Sequence, residues 1–429
     1  MANPVSCPSS LTGSSDWVHI PTPGDHYSPA TGSAVITVIA ALARRQTEEG
    51  GGTPVVLVSK GTQEGYPPYA AGKTLEGNFP GRPLTLFQKL ADVMLGSAAG
   101  TRPFTSRLYR QMAQSLPMDF SGVLFVHNQP AAILPLRRLF PQATLVLYAH
   151  NDSFGTYSSA ETAKFFKAVS LVICCSRFLA DVLKKKSPPD GARKIKVLLN
   201  GVDTNKFAPV QKDTRPQGTP LKILFVGRML PEKGPHLLLQ AATLLERRRR
   251  EGLLPPFQVS FVGSSNFNAS DPLTRYESSL RKLAFPLGGT VEFHSFAKRD
   301  AIPAVYQAAD IFVAPSNWDE PFGLTVAEAM SSGLPCIVSK RGGIPEAAAE
   351  AALYFTPPNP GQIADHLQSL LTNPQARLIW GERARARALE LSWESRFKRL
   401  QRIIRENGPS ESLESREEFK LKKRVGPTF

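Results

Sequence analysis

The chain has 429 residues, of which 42% are hydrophobic and 20% are charged, and its formal net charge is +15. This size and composition are typical of a globular α/β protein with two cores. They argue against a membrane-spanning protein, because no apolar run reaches the eighteen residues that a spanning helix needs. The four cysteines have neither a disulfide-framework nor a zinc-ligand spacing. The first residues lack the basic and apolar segments of a signal peptide, so we expect a cytoplasmic protein.

Clusters of basic residues contribute to the positive charge, for example at Lys184–Lys186 and Arg247–Arg250. Such clusters can attract nucleic acid, anionic lipid or phosphorylated substrates. No nucleic-acid motif surrounds them. We therefore expect solvated helix faces and a diphosphate pocket, with peripheral binding to the inner face of a membrane as the alternative and no nucleic-acid partner.

The first half of the chain alternates strands and helices. Its pattern predicts strands at 18–21, 55–59, 123–126, 144–149 and 171–175, helices at 34–46, within 84–116 and at 177–186, and a long loop at 60–83. Gly32 and Ser33 lie where the loop after the first strand meets a helix. The free amides of such a junction can bind an anion, although one Gly-Ser pair is a weak signal.

Two of the predicted strands end in a His-Asn pair, His127-Asn128 and His150-Asn151. A single histidine at such a place is more often structural. Ligands of open α/β sheets, however, bind outside the carboxyl ends of the strands, and here two matching strand ends carry the same pair. We therefore predict ligand contacts for these residues.

The polar, proline-containing stretch at 210–220 predicts a linker, and a second series of alternating strands and helices follows it. A strand at 221–226 delivers Arg228, and Lys233 follows just before a helix at 235–250. Two cations near a helix start are suited to gripping a diphosphate. Further strands are predicted at 259–263, 291–293, 309–314 and 352–355, and further helices at 360–371, 377–389 and 395–406.

The stretch 315–346, PSNWDEPFGLTVAEAMSSGLPCIVSKRGGIPE, contains the densest signal. A helix predicted at 324–332 begins beside Gly323, and its first amides are unpaired donors at the positive end of the helix dipole. Glu320 precedes this anion site, and Glu328 follows about one helical turn past the helix start. Two acceptors that flank an anion site suit a sugar nucleotide, whereas two glutamates on a solvated helix face are the ordinary alternative.

This stretch, P-S-x-x-x-E-P-F-G-L-x-x-x-E-A-M followed by G-x-P and G-G-x-x-E, resembles the donor-site signature of the retaining glycosyltransferases of family four. The G-R-x-x-x-x-K-G run at 227–234 and the N-G-V-D-x-x-x-F-x-P run at 200–209 resemble segments of the same family. The resemblance extends over roughly Trp17–Arg405. It implies an α/β protein of the GT-B fold, with two Rossmann-like doubly wound domains that face each other across a cleft.

The resemblance also implies a domain plan in which a C-terminal helix crosses back to the first domain. The implied parts are a disordered N-terminus at 1–16, an acceptor domain at 17–209, a linker at 210–220, a donor domain at 221–391, the crossover helix at 392–407 and a disordered tail at 408–429.

The implied activity is transfer of a sugar from a nucleoside diphosphate sugar, with UDP favoured, to a saccharide or lipid-linked saccharide acceptor, as in envelope polysaccharide or lipopolysaccharide synthesis. Configuration would be retained, and neither a metal nor another cofactor is expected. The implied catalytic residues are His150, Arg228, Lys233 and Glu320. The implied donor-binding residues are Gly32, Gly263, Phe293, Phe322, Gly323, Leu324, Thr325 and Glu328, and the candidate acceptor-binding residues are His127, Asn128 and Asn151.

Two positions depart from the family pattern, since a single glycine, Gly32, stands where two are common and His294 stands where glycine is frequent. Two other functions stay open. A phosphorylase of the same fold would use the same cations, and a non-catalytic binding or coat protein would keep the fold without the reaction.

Overall fold

The computed structural model describes residues 16–50, 52–59, 68–77, 84–211, 216, 218–266 and 271–407. The strands of the first domain are β1 (Trp17–Ile20), β2 (Val55–Ser59), β3 (Lys73–Gly77), β4 (Val123–His127), β5 (Thr144–Ala149), β6 (Leu171–Cys174) and β7 (Ile195–Val197). Its helices are α1 (Ala34–Glu48), α2 (Leu86–Ala99), α3 (Pro103–Ala113), α4 (Ile133–Leu139), α5 (Ser159–Ala168) and α6 (Arg177–Lys186).

The second domain repeats this alternation. Its strands are β8 (Leu221–Val226), β9 (Phe257–Val262), β10 (Val291–His294), β11 (Ile311–Ala314), β12 (Cys336–Ser339) and β13 (Leu353–Phe355). The remaining helices are α7 (Pro235–Arg250), α8 (Arg275–Ala284), α9 (Ile302–Gln307), α10 (Leu324–Ser331), α11 (Ile344–Ala348), α12 (Pro360–Thr372), α13 (Pro374–Glu390) and α14 (Trp393–Asn407).

Both sheets are parallel and doubly wound. The first has the order β3-β2-β1-β4-β5-β6-β7, and the second has the order β10-β9-β8-β11-β12-β13. In each sheet the strand order reverses beside the domain's first strand, between β1 and β4 in one and between β8 and β11 in the other. Such a reversal opens a crevice at the carboxyl ends of the strands, where ligands of this fold class bind. The predicted pair of Rossmann-like domains is confirmed.

One predicted element is wrong. The expected loop at 60–83 contains β3, which pairs in parallel with β2 so that Leu57 lies opposite Leu75. The sequence gives little sign of this strand, because an edge strand needs few apolar residues, and of KTLEG only Leu75 and Gly77 are buried. Residues 60–67 and 78–83 lie outside the described residues.

Most other boundaries agree within a few residues. The helix predicted at 377–389 begins earlier, at Pro374, because the side chain of Asn373 accepts a hydrogen bond from the Ala376 amide and proline suits the first helical turn. The two ends predicted to be disordered, at 1–16 and 408–429, lie outside the described residues except for Asp16. The carbonyl of Asp16 accepts a hydrogen bond from the Val123 amide. Much of the predicted linker also lies outside them, at 212–215 and 217.

The C-terminal helix α14 packs on the first domain, as predicted. Its buried residues Trp393, Phe397, Leu400 and Ile403 join a core with Trp17 and other side chains of the first sheet. The chain enters α14 through a parallel bridge between Val202 and Ser392. Because its apolar stripe covers the other domain's sheet, α14 ties the two domains together.

A second tie joins the domains beside the cleft. The carboxylate of Glu346, in α11 of the second domain, accepts hydrogen bonds from the amides of Arg177 and Phe178 at distances of 2.7 and 2.6 Å. These amides begin α6 of the first domain, where a helix has unpaired donors and a positive dipole end. Glu346 therefore caps a helix of the other domain.

We predict that Glu346→Gln weakens this contact, since the substitution keeps one acceptor oxygen but removes the charge that faces the helix dipole. The expected loss is about 1 to 2 kcal/mol of unfolding free energy, together with a larger radius of gyration by X-ray scattering if the cleft opens. The exposed Glu350 supplies a control, because Glu350→Gln makes the same charge change four residues later in the chain, after the end of α11. Equal behaviour of the two variants would contradict the role given to Glu346.

Candidate active site

A cleft of about 560 Å³ lies between the two domains. Its walls are loops that follow the carboxyl ends of strands in both sheets, including Thr22 and Asp25 after β1, Asn128 after β4, Arg228 after β8 and Ser316 after β11. These are the strands that flank the reversal in each sheet. The topology therefore brings two crevices face to face.

A lysine and a glutamate form the centre of the second domain's wall. Lys233 Nζ lies 2.5 Å from Glu320 Oε1, and the hydroxyl of Ser316 donates to the same oxygen at 2.9 Å. The ammonium also lies 5.1 Å from the ring centre of Trp318. The ion pair fixes both side chains before a ligand arrives, and Arg228 lines the same wall.

The loop that carries Glu320 is held by close backbone packing. Gly342 has a φ of 57°, and a Cβ at this position would clash with the backbone of Glu320. The next amide, of Gly343, donates to the Glu320 carbonyl at 2.6 Å. The two glycines of the G-G-x-x-E run thus allow the loop to lie directly on this turn.

Helix α10 points its start into the cleft. Gly323 precedes it with a φ of 97°, no side chain caps it, and the amides of Leu324 and Thr325 make no hydrogen bond within the described residues. Unpaired amides at the positive end of a helix dipole attract anions. Together with Arg228 and Lys233 they give this wall the hydrogen-bond donors and the positive charge that suit an anion.

Glu328 lies one turn into α10 and is already paired. Its Oε1 is 2.6 Å from Arg299 Nη2, and its Oε2 accepts a hydrogen bond from the Tyr306 hydroxyl at 3.1 Å. Burial alone would lower the pKa of the Arg299 guanidinium, but the contact with Glu328 raises it above its ordinary value. Each carboxylate oxygen can accept more than one hydrogen bond, so Glu328 can still accept from ligand hydroxyls while it is bound to Arg299 and Tyr306.

One histidine lines the cleft in the first domain, and two more lie behind it. His150 lines the cleft, and its Nε2 lies 2.9 Å from His127 Nδ1 behind it. His127 Nε2 in turn lies 3.1 Å from Nδ1 of His19, a residue that is fully buried. Burial lowers the pKa of His19 and of His150 to about 3, and burial with the neighbouring histidines lowers that of His127 well below 6.5. All three rings are therefore neutral at pH 7.

Asn128 positions the backbone at this wall. It has a φ of 58°, a conformation that asparagine tolerates better than most residues, and its Oδ1 accepts bonds from the amides of His150 and Asn151 at 2.7 and 3.2 Å. The side-chain carbonyl predicted to face an acceptor thus binds the protein's own backbone.

The structure brings most of the predicted site residues together. Those that line the cleft are Gly32, Asn128, His150, Asn151, Arg228, Lys233, Gly263, Glu320, Phe322, Gly323, Leu324, Thr325 and Glu328. Two do not line it. His127 lies behind His150, and Phe293 stacks on Phe261 at 5.1 Å with the Arg281 guanidinium 4.8 Å from its ring centre. Strand alternation explains the second case, because Phe293 points to a face of the sheet and not past its edge.

The sequence reasoning missed several cleft residues. Asp25 and Arg299 lie in loops after β1 and β10, and Trp318 occupies a variable position of the signature. Asp25 and Arg299 could have been found from the rule that ligands meet the carboxyl ends of parallel strands. Burial raises the pKa of Asp25, with hydrogen bonds from Ser33 and Thr22 opposing the shift.

Two family models together match most of the chain. The model described as glycosyl transferases group 1 matches residues 208–387, and the model described as glycosyltransferase family 4 matches residues 35–206. The spore coat protein SA of Bacillus subtilis is 30% identical over 284 residues, which are 62% of this chain and 73% of that protein. The chain belongs to the group 1 glycosyltransferases.

Other group 1 relatives match a smaller part of their length. The D-inositol 3-phosphate glycosyltransferase of Corynebacterium urealyticum is 33% identical over 236 residues, which are 51% of this chain and 54% of that enzyme. The chain thus spans between about half and three quarters of these two relatives.

Solved glycosyltransferase structures share the fold over nearly the whole chain. Anabaena HepE in complex with UDP-glucose has a TM-score of 0.62 at 19% identity and covers 91% of this chain and 99% of its own. The sucrose-phosphate synthase of Thermosynechococcus elongatus has a TM-score of 0.68 at 18% identity, with 91% and 98% covered. This likeness confirms the predicted GT-B architecture of the group 1 enzyme.

Among the described residues, no group of three or more histidine, cysteine, aspartate or glutamate side chains could hold a metal ion. None of the helices there is long and apolar enough to cross a membrane.

The buried histidines make stability depend on pH, and the direction follows from their lowered pKa values. Between about pH 3 and 6.5 the unfolded chain binds protons at His19, His127 and His150 that the folded protein excludes. The free energy of unfolding should therefore be highest above pH 6.5 and fall as pH drops below it, by up to about 1.4 kcal/mol per pH unit for each histidine.

Urea unfolding at pH 7.0, 6.0 and 5.0 measures this slope. His19→Phe should make the slope smaller by one histidine's share, because phenylalanine cannot take up a proton. A wild-type slope that is flat over this range would show that the buried histidines do not resist protonation.

Proposed function

We propose that this group 1 glycosyltransferase transfers a glycosyl residue from a nucleoside diphosphate sugar, with UDP as the first candidate, to a saccharide or lipid-linked saccharide. The reaction is proposed to retain the anomeric configuration and to need no metal. The observation that carries the proposal is the convergence of Arg228, Lys233, the free amides of α10 and His150 on one cleft.

The chemistry follows from where the charges lie. As the bond from the anomeric carbon to the diphosphate breaks, negative charge develops on the leaving oxygen. Arg228, Lys233 and the amides of Leu324 and Thr325 are proposed to stabilise that charge, which is preorganised electrostatic catalysis. Cationic side chains and a helix end then do what a divalent metal does in other transferases.

The two glutamates are proposed to bind different parts of the donor. Glu320 uses one oxygen for Lys233 and Ser316, so its Oε2 is left for a hydroxyl of the sugar beside the reacting carbon. Glu328, held by Arg299 and Tyr306, is proposed to accept from the ribose. The base would lie against the loops that contain Gly263, Ser264 and Phe296, which line the far end of the same cleft.

Support for the donor class comes from the fold neighbours. Structures of Anabaena HepE contain UDP, UDP with glucose, and UDP-glucose. The first test is a thermal-shift screen with UDP, GDP, ADP and their glucose and mannose conjugates, since a ligand of the folded state raises the melting temperature by mass action. Turnover of the best donor should survive excess chelator, and complete loss that Mg²⁺ or Mn²⁺ restores would contradict metal independence.

The alternative functions predict different outcomes in the same assays. A phosphorylase would require inorganic phosphate and ignore nucleotides. A non-catalytic coat or binding protein would release no nucleoside diphosphate from any sugar nucleotide, and one relative is named as a spore coat protein. The preformed anion site at α10 favours group transfer over a coat function, and the dependence on inorganic phosphate separates the transferase from the phosphorylase.

Replacing Arg228 with alanine should leave the fold intact and cost about 2 to 4 kcal/mol of transition-state stabilisation, because one preorganised cation is lost beside the leaving group. Steady-state kinetics of nucleoside diphosphate release measure this as a fall in kcat/KM. Arg247→Ala removes the same charge from the exposed far end of α7 and should have wild-type kinetics. Equal rates for both variants would contradict the role of Arg228.

A lipid-linked acceptor would require contact with a membrane surface, and α2 offers one. Large apolar side chains at Leu86, Phe87, Leu90 and Met94 lie along this helix and are 74%, 76%, 55% and 72% exposed. Lys89 lies among them, and Arg107 and Arg110 are exposed on the neighbouring α3. An exposed apolar stripe with basic residues is typical of helices that lie in a membrane interface.

We predict that the protein binds anionic vesicles more strongly than neutral ones, and that added salt weakens this binding because it screens exposed charges. The double substitution F87S/M94S should reduce binding severalfold in a co-sedimentation assay. Phe285→Ser is a matched control, because Phe285 is 86% exposed in the second domain, away from α2. Equal binding to neutral and anionic vesicles would instead favour a soluble acceptor.

A further inference from the structure

Three histidines form a continuous hydrogen-bonded chain that runs from the interior of the first sheet to the cleft. Strand register places His19 beside Phe125 and His127 beside Tyr148, so all these side chains lie on one face of the sheet. Trp393 and Phe397 of α14 cover that face from outside. The chain ends at His150, which is only 7% exposed and lines the cleft.

The two contacts within the chain use both nitrogens of the middle ring. His127 Nδ1 meets His150 Nε2 at 2.9 Å, and His127 Nε2 meets His19 Nδ1 at 3.1 Å. A neutral imidazole carries one N–H and one lone pair. Burial keeps all three rings neutral, so His127 must donate in one contact and accept in the other. The protonation of the end rings is therefore coupled.

Only two arrangements satisfy both contacts. In the outward arrangement His19 donates to His127, which donates to His150, and His150 then carries its proton on Nδ1. In the inward arrangement every bond is reversed, and His150 presents a lone pair at Nδ1. The two differ at the buried end, because His19 Nε2 has no partner among the described residues. It is a lone pair in the outward arrangement and an N–H in the inward one.

The outward arrangement is favoured at both ends. An unpaired N–H in a protein interior is rarer than an unpaired acceptor, so His19 favours a lone pair at Nε2. At the other end, His150 Nδ1 has no partner among the described residues, and the ligand proposed for the cleft is rich in oxygen and negatively charged. A donor facing such a ligand is stabilised, whereas a lone pair is repelled.

We propose that His19 and His127 are positioning residues that fix His150 as the Nδ1–H tautomer, so that it donates a hydrogen bond into the cleft. This inference rests on the proposed function for the identity of the ligand and for the argument at the cleft end, whereas the argument from the unpaired His19 Nε2 is independent of it. The group that faces His150 must then be an oxygen acceptor such as a hydroxyl or a carboxylate of the donor sugar. An ammonium group of an amino sugar at that point would be excluded.

Asn128 supports the same geometry. By binding the amides of His150 and Asn151 it fixes the backbone from which the His150 ring projects. The ring also stacks on Tyr148 with ring centres 4.6 Å apart and meets the His127 ring edge to edge through the 2.9 Å contact, which restricts its rotation. The hydrogen-bonded chain of His19, His127 and His150, hereafter the histidine relay, therefore sets the tautomer of a ring whose position is already fixed.

Nitrogen-15 NMR of histidine-labelled protein tests the proposal without any activity assay. Long-range proton–nitrogen correlations distinguish the two neutral tautomers, and the expected result is Nδ1–H at both His127 and His150 from pH 6 to pH 8. In His127→Phe, which keeps an aromatic ring at this position but has no ring nitrogen, His150 should lose this single tautomer. His236, which contacts the Tyr276 hydroxyl at 2.8 Å outside the relay, should keep its wild-type signals and so report an intact fold.

Two results would overturn the proposal. One is Nε2–H at His150 in the wild-type protein, and the other is an unchanged Nδ1–H tautomer at His150 in His127→Phe. If His127→Phe does not fold, two other measurements decide the matter. In the wild-type spectrum His127 must be the Nδ1–H tautomer, and in His19→Phe His150 must lose its single tautomer. Titration with UDP-glucose is a separate arm. Failure to bind it would count against the proposed donor, whereas the tautomers of the free protein would still report on the relay.

Discussion

The structure depends on holding the carboxyl edges of two parallel sheets against each other. Ligand-binding loops follow those edges, and neither crevice alone contains both the anion site of α10 and the histidine of β5. Two features keep the edges together. Helix α14 packs its apolar face on the first sheet, and Glu346 caps α6 across the domain boundary. One contact is apolar and broad, and the other is a pair of charge-assisted hydrogen bonds beside the cleft.

Charges in the cleft are arranged before a ligand is present. Lys233 is paired with Glu320 and Arg299 with Glu328, so each cation is held by a carboxylate that also faces the cleft. The histidines of the opposite wall are neutral, because they are too deeply buried to protonate near pH 7. A diphosphate would therefore meet fixed positive charge on one side, and a sugar would meet a fixed hydrogen-bond donor on the other.

Family membership and substrate identity are different questions for this glycosyltransferase. The relatives include a spore coat protein and a D-inositol 3-phosphate glycosyltransferase, which share the family but not a single named role. Family models match both domains, over residues 35–206 and 208–387. The first domain carries the chain of three histidines and the exposed apolar stripe on α2, and neither feature identifies a substrate by itself.

The amino-acid sequence by itself determined the two-domain architecture, most of the strands and most of the donor wall, but it did not predict the helices α4, α5 and α8. Those features rest on local patterns: buried strands are apolar runs, helix ends carry caps, and the signature places Glu320, Gly323 and Glu328 within one turn and one helix. The edge strand β3 was not predicted, because KTLEG pairs through its backbone and contains only one large apolar side chain.

Tertiary structure alone decided which distant residues meet. Arg299 reaches Glu328 from a loop with no recognisable motif, and Glu346, the last residue of the signature, contacts the other domain and not a ligand. His127, predicted as an acceptor contact, lies behind His150 because the chain of rings follows the register of β1, β4 and β5. Sequence spacing carries no information about register between strands more than one hundred residues apart, so the relay became visible only when the sheet was assembled.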